Sequence, residues 1–153
     1  MDTLTEDYPH GVTCTRKYDG RLIMIEGDYS SVEAINSWSN AVMKIIDEIP
    51  IEGPIFLIDD LSSLKEEFMA HAVNWGRKNL VALPRYRNQM YMAVVLSGTF
   101  MNRIGSILLK QIVSWNSKIE YKVFVSRKEA NAWIMEQMKN IGFDIESSGL
   151  DNF

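Results

Sequence analysis

The segment from Tyr121 to Met138 joins a short apolar strand to a capped amphipathic helix, and this combination constrains the fold more than any other feature of the chain. The strand residues 123–125 run into Ser126, and Glu129 follows at the spacing of a capping box. Apolar residues then recur at helical spacing, at Ala130, Trp133, Ile134 and Met138. Because similar units occur three more times upstream, the sequence predicts an α/β fold.

The upstream units differ in detail but keep the same order. Ser30 with Glu33 and Ser63 with Glu66 repeat the capping-box spacing, each ahead of a helical apolar pattern. Apolar runs precede these helices and predict buried parallel strands at 21–26, 55–58 and 90–96. The third unit runs through a small-residue turn into a predicted helix that carries Ile104, Ile107, Leu108, Ile112 and Trp115.

An Asp19-Gly20 pair separates two strand-like stretches near the start of the chain, which predicts a β-hairpin. The predicted order is therefore β-β-α-β-α-β-α-β-α. We expect a five-stranded, mostly parallel (mixed) sheet with four main helices, in one α/β domain over residues 12–141. Residues 1–11 are predicted to be a flexible N-terminal segment, and residues 142–153 an acidic C-terminal tail.

Composition narrows the classes of function. The single cysteine, Cys14, excludes an internal disulfide, so we expect a cytoplasmic protein, and no apolar run is long enough for a transmembrane segment. Residues 1–67 carry 14 acids against 5 bases, whereas residues 68–119 carry 7 bases and no acid. This segregation indicates a surface for an anionic partner or two segments that compensate each other. No nucleic-acid partner is expected, because the net charge is −4 and no recognition motif is present.

Groups that carry catalysis are sparse in the sequence. Asp59 and Asp60 end a predicted parallel strand, where α/β folds place ligands, although helix capping also explains acids there. His71 is predicted to lie on or beside the apolar face of the next helix. The sequence has no nucleophile elbow, no glycine-rich phosphate loop and no set of metal ligands at fixed spacing. We therefore expect no cofactor and no metal.

Two stretches are candidates for contact surfaces. A loop from Trp75 to Met90 combines aromatic and basic residues, the types enriched at interface hot spots. Its candidate partner-binding residues are Trp75, Arg77, Lys78, Arg85, Tyr86 and Arg87. The other interpretation of this loop is a solvated connection that seals the core. The second candidate is a strand-to-helix turn that suits an anionic ligand, with Ser97, Gly98, Thr99 and Arg103.

The nine methionines suggest a third feature, an adaptable apolar cavity. Its candidate lining residues are Met24, Met69, Met90, Met92 and Met101. Ordinary core filling is the alternative interpretation of the same residues.

Three stretches resemble STAS-like domains, the sulfate-transporter and anti-sigma-factor-antagonist class. RLIMIEGDYSSVEA is similar to the second strand and helix start of that family, and IFLIDDLSSL to its central strand ending in an Asp-Leu pair. MAVVLSGTFMNRIGSILLKQI, followed by KVFVSRKEANAWI, resembles its last two α/β units. The likeness spans about residues 12–138. It is nearest to the bacterial subgroup whose fold is shared with CRAL-TRIO lipid-binding domains.

The resemblance implies partner recognition but not a phosphorylation switch. In the anti-sigma antagonists, a phosphorylated serine lies in a loop with the motif Asp-Ser-Ser-Gly-Leu, several residues beyond the Asp-Leu pair. Counting on from Asp60 brings that loop onto 68–72, where Met69 and Ala70 carry no hydroxyl. The letters of the motif recur at 147–150, beyond the final helix, which we interpret as coincidence.

The sequence therefore supports three hypotheses. The first is a non-enzymatic STAS-like regulatory or binding module that recognises a protein partner or a small lipophilic ligand. The alternative is a small α/β enzyme of unknown class that uses Asp59, Asp60 and His71. A homodimer built through an exposed sheet edge or apolar helix faces is the third.

Overall fold

The computed structural model describes residues 3–48, 52–80, 89–99, 119–143 and 145, and it has an α/β architecture. The strands are β1 (Leu4–Tyr8), β2 (Val12–Lys17), β3 (Leu22–Glu26), β4 (Ile55–Asp60), β5 (Met90–Val95) and β6 (Ile119–Phe124). The helices in the described part are α1 (Val32–Glu48), α2 (Glu66–Leu80) and α3 (Arg127–Asn140), and a 3₁₀ turn, Pro9–Gly11, joins β1 to β2.

All six strands form one mixed sheet in chain order, from β1 to β6. β1, β2 and β3 pair antiparallel, and β3 to β6 pair parallel. Helices α1 and α2 pack on one face of the sheet, and α3 packs on the other. Right-handed connections between neighbouring parallel strands keep the connecting helices on one face, whereas α3 follows the last strand and is free to cover the opposite face.

The prediction of five strands is wrong, because β1 adds a sixth. Its sequence, LTEDY, lacks an apolar alternation that would indicate a strand. Backbone pairing with β2 along all five residues holds it in place, and ion pairs add to this. Glu6 on β1 accepts hydrogen bonds from Arg16 at 2.8 Å and from Lys44 on α1 at 2.6 Å. Part of the segment that we predicted to be flexible is thus an edge strand.

Two other predictions fall outside the described residues. The helix expected to carry Ile104 to Trp115 lies there, as does most of the predicted acidic tail. The structure describes three helices, and the fourth remains a prediction.

The predicted hairpin is confirmed. The Arg21 N–H donates to the Tyr18 carbonyl at 3.1 Å, and this bond closes a turn with Asp19 and Gly20 at its centre. Both central residues have positive φ, 54° and 79°, as a type I′ turn requires.

The capping predictions are only partly correct. Ser126 caps α3, since its Oγ accepts from the Glu129 N–H at 3.2 Å. Helix α1 is capped by Ser31 rather than Ser30, because the Ala34 N–H donates to the Ser31 Oγ at 3.2 Å. Helix α2 begins at Glu66, and Ser63 bonds to the loop after β3 instead.

Candidate functional site

The carboxyl ends of the parallel strands lie side by side at one end of the sheet. Glu26 on β3 lies opposite Asp60 on β4, Asp60 lies opposite Val95 on β5, and Val95 lies opposite Phe124 on β6. The loops that follow these residues therefore start side by side. In open α/β sheets, ligands bind at the carboxyl ends of the strands.

Arg127, the first residue of α3, joins two of these strand ends. Its Nε and Nη2 atoms donate to the Asp60 Oδ2 at 2.9 and 2.7 Å, and Nη2 also donates to the Glu26 Oε2. The second carboxylate oxygen of Asp60 accepts from the Ser62 hydroxyl at 2.6 Å and from the Ser62 N–H at 3.1 Å. A guanidinium is thus held between two carboxylates by charge-assisted hydrogen bonds, and two of its N–H groups converge on one oxygen of Asp60.

These contacts change how the groups titrate. Burial raises the pKa of Asp60, but hydrogen bonds from Ser62 and Arg127 outweigh it and leave that pKa below its ordinary value. Burial lowers the pKa of Arg127, and hydrogen bonds to Glu26 and Asp60 reverse this effect, so the net shift is upward. Both groups are therefore charged at neutral pH.

An open cleft of about 420 Å³ lies over this ion-pair cluster. Its lining residues come from the β1–β2 turn, β2 and the ends of β3 and β4, and from α3: Gly11, Thr13, Glu26, Gly27, Asp28, Asp60, Ser62, Ser63 and Arg127. Within this described lining, three carboxylates and one guanidinium leave a negative net charge. The volume falls in the range of roughly 300–1,000 Å³ that small-molecule sites have.

Ser63 fixes the two loops that form one wall of the cleft. Its hydroxyl donates to the Gly27 carbonyl at 2.6 Å and accepts from the Tyr29 N–H at 3.1 Å. Gly27 also leaves space for its neighbours, because a Cβ there would lie 3.1 Å from both the Tyr29 ring and a Val12 methyl. The wall is therefore a packed, hydrogen-bonded structure.

Asp59 points to the opposite face of the sheet from Asp60, as adjacent strand residues do. Its side chain is buried, and the Trp38 Nε1–H of α1 donates to its Oδ1 at 3.1 Å. Burial raises the pKa of Asp59 to about 7, against the lowering effect of the Trp38 hydrogen bond. Burial also raises the pKa of Tyr29 and of Tyr121, and the Asp59 charge adds to both shifts.

His71 lies apart from both aspartates. It is exposed on α2, and its Nε2 is 3.2 Å from the Asn36 Oδ1 of α1. Within the ranges that the structure describes, no hydrogen bond or ion pair joins His71 to Asp59 or Asp60. Nor does any group of three acidic, histidine or cysteine side chains there form a cation site.

The predicted partner-binding residues are described only in part. Trp75 packs against Trp38, with ring centroids 5.0 Å apart, and is half-buried. Lys78 is exposed on α2. The Arg77 side chain, together with Arg85, Tyr86 and Arg87, lies outside the described residues. Trp75 and Lys78 thus belong to α2 rather than to a loop, and Trp75 contributes to the packing of α2 against α1.

The predicted anion turn lies at the carboxyl ends of the parallel strands, as the cleft does. Ser97 is half-buried, and Gly98 and Thr99 are exposed just beyond β5. The strand end before them is tied to its neighbours, because the Leu61 N–H donates to the Val95 carbonyl and the Leu96 N–H to the Phe124 carbonyl, both at 2.9 Å. Arg103 lies outside the described residues. In α2, Met69 is buried and Ala70 is exposed.

Sequence reasoning missed Arg127 and Glu26. One signal was available for Arg127, since a cation at the first position of a helix opposes the helix dipole and needs a compensating acid. For Glu26, its position at the end of a strand beside the Asp60 strand was the only cue. Neither signal identifies the pairing without the register of the sheet.

A small apolar cavity lies between α1 and the sheet. Its volume is about 30 Å³, and its lining consists of Ile23, Ile25, Val42, Ile45, Ile46, Ile55, Leu57, Met90, Met92 and Ile119. Two of the predicted cavity methionines therefore line it. Met24 lies on the other face of the sheet, Met69 belongs to the core, and Met101 is outside the described residues. A cavity of this size is about tenfold smaller than a typical ligand site.

No family model, no curated protein and no solved structure matches the chain. Within the described ranges, each helix is too short or too polar to serve as a membrane-spanning segment.

Proposed function

We propose that this protein is a non-enzymatic regulatory module, similar to STAS domains. It recognises a protein partner at the cleft beside the carboxyl ends of its parallel strands. The observation that carries the proposal is the pairing of Arg127 with both Asp60 and Glu26. In this pairing, the positive charge of Arg127 is neutralised by carboxylates of the protein itself. The surface that remains for a partner is therefore acidic.

The charge of the cleft defines the partner. Asp28 is exposed at the rim, and the Glu26 side chain is 38% exposed although it bonds to Arg127. Ser62 and Ser63 add hydroxyl groups. Such a surface favours a partner that presents lysine or arginine side chains, because opposite charges attract in a partly enclosed site.

The other two functions have less support. Catalysis by Asp59, Asp60 and His71 requires these side chains to converge, yet each has different neighbours. Within the described part of the chain, the apolar cavity beneath α1 has a volume of only about 30 Å³, which is too small for a lipophilic ligand. The STAS part of the proposal rests on the three similar sequence stretches and on the order of elements, a β-hairpin followed by α/β units. A cytoplasmic location is part of this proposal, because a chain with a single cysteine forms no internal disulfide.

The test compares two charge reversals on an affinity-tagged protein. Asp28→Lys changes the cleft rim, and Asp47→Lys makes the same change on exposed α1. In quantitative capture from a lysate of the native host, we expect a partner that is retained by wild type and by Asp47→Lys but lost with Asp28→Lys. A captured set that does not differ between the two variants would contradict the proposal.

A second measurement tests the non-enzymatic part. Purified wild type and Asp60→Ala are compared on a panel of hydrolase and phosphatase substrates, and we expect equal background rates. Turnover by wild type that disappears with Asp60→Ala would support the enzyme alternative instead.

A further inference from the structure

The last strand of the sheet presents an edge to which no described strand is paired. β6 (Ile119–Phe124) pairs with β5 along one side only. An edge of this kind carries a row of backbone donors and acceptors that another strand can complete.

The backbone groups on this edge can be assigned. The Leu96 N–H donates to the Phe124 carbonyl at 2.9 Å, so the backbone of Phe124 faces β5. Because successive residues of a strand direct their N–H and C=O groups to opposite sides, Glu120 and Lys122 also face β5. The backbone groups of Ile119, Tyr121 and Val123 therefore face outward.

The side chains of β6 alternate in a way that suits a second copy of itself. Glu120 and Lys122 are exposed on one face of the sheet, and Ile119, Tyr121 and Val123 are half-buried on the other. The Lys122 ammonium lies 5.5 Å from the centre of the Phe124 ring, which holds its charge close to the strand. The strand thus carries one charge of each sign, two residues apart.

We infer that the protein forms a homodimer in which β6 pairs antiparallel with β6 of a second copy, with Tyr121 opposite Tyr121 on the twofold axis. This register places Glu120 of each copy opposite Lys122 of the other, and Ile119 opposite Val123. The outward backbone groups of the two Tyr121 residues then exchange both hydrogen bonds, as a hydrogen-bonded antiparallel pair requires. The dimer extends the sheet from six strands to twelve.

Neighbouring registers are less favourable. An axis at Lys122 places lysine opposite lysine, and an axis at Glu120 places glutamate opposite glutamate, and like charges directly opposite each other destabilise a sheet. An axis between two residues sets an outward-facing residue against an inward-facing one, which breaks the ladder. Among the axes at Glu120, Tyr121 and Lys122, only the Tyr121 axis sets opposite charges against each other, so we assign the axis to Tyr121. This inference does not depend on the proposed partner cleft, which lies at the ends of the strands.

Charge-swap variants test the dimer by sedimentation equilibrium over a range of protein concentrations. We expect wild type to dimerise reversibly. Glu120→Lys and Lys122→Glu should each weaken dimerisation by about tenfold or more, because two attractive cross-strand pairs become two repulsive ones. The double variant Glu120→Lys/Lys122→Glu should restore dimerisation, since opposite charges again face each other.

Glu136→Lys on exposed α3 is the matched control, and it should dimerise as wild type does. Circular dichroism of each variant verifies that the fold is kept. The inference is overturned if wild type is monomeric at every concentration, if both single reversals dimerise as wild type does, or if the double variant stays as weak as the singles.

Discussion

The Trp38 Nε1–H donates to the Asp59 Oδ1 at 3.1 Å, in the buried interface between α1 and β4. Asp59 is only 5% exposed, and apolar side chains surround the pair. A carboxyl group there favours its neutral form, because a buried charge loses its hydration. The physical consequence is a stability that depends on pH near neutrality.

The first prediction concerns this pH dependence. Burial raises the pKa of Asp59 from 3.8 to about 7, so between these values the folded state holds a proton that the unfolded state has released. The free energy of unfolding should therefore fall as pH rises from 4 to 7, by up to about 4 kcal/mol, and then level off. Urea unfolding of wild type and Asp59→Asn at pH 5 and pH 7.5 measures this change.

Asn is uncharged and can still accept from Trp38, so Asp59→Asn should lose this part of the pH dependence. The groups with lowered pKa, Asp60 and Glu6, titrate below this window, because their stabilisation disappears only as pH falls through their folded pKa. Equal pH dependence in wild type and the variant would show that Asp59 does not carry it.

The second prediction concerns Arg127. Arg127→Ala should lower the free energy of unfolding by about 1–3 kcal/mol, because it leaves two carboxylates near each other with the Asp60 side chain only 11% exposed. The cost is below that of a fully buried pair, since Arg127 itself is 35% exposed and solvent screens it. Arg127→Lys should lie between, because lysine keeps the charge but loses the planar fork.

Lys128→Ala on the exposed side of the same turn is the control, with an expected change within about 0.5 kcal/mol. A double-mutant cycle of Arg127→Ala with Asp60→Asn should give a coupling free energy above roughly 0.5 kcal/mol. Strict additivity of the two changes would indicate that the ion pair does not contribute to stability.

The third prediction tests the packing of the cleft wall. Gly27→Ala should lower the free energy of unfolding by about 1–3 kcal/mol, because the new Cβ lies 3.1 Å from the fully buried Tyr29 ring and from Val12. Gly98→Ala is the matched control, since a Cβ at Gly98 meets no atom of the described residues within 4 Å. Thermal and urea unfolding of the two variants give the comparison, and equal effects would contradict the close packing at Gly27.

The fourth prediction separates two adjacent serines. Ser31→Ala should cost about 1 kcal/mol of stability, because it leaves the Ala34 N–H without its capping acceptor. Ser30→Ala should change stability by less than about 0.5 kcal/mol, since Ser30 is an exposed residue outside the cap. A larger effect at Ser30 than at Ser31 would contradict the assignment of Ser31 as the cap.

Local patterns were sufficient for much of the fold. The Asp19-Gly20 turn, the buried β4 strand and the Ser126 cap follow from preferences that act within a few residues. The Ser63 cap failed for a tertiary reason, because its hydroxyl found two backbone partners in the loop after β3. Strand β1 was missed because its backbone pairing with β2 and its ion pairs to β2 and α1 leave no apolar alternation in its sequence.

The sequence by itself determined that strands and helices alternate and that β3 and β4 are buried, since apolar spacing and turn residues are local properties. Only the tertiary structure decided that Asp59 faces α1 while Asp60 meets Arg127 and Glu26. Those contacts join residues up to 101 positions apart in the chain, and they depend on strand register and on where α3 begins. Register is fixed by the packing of the whole sheet, so short-range patterns do not contain it.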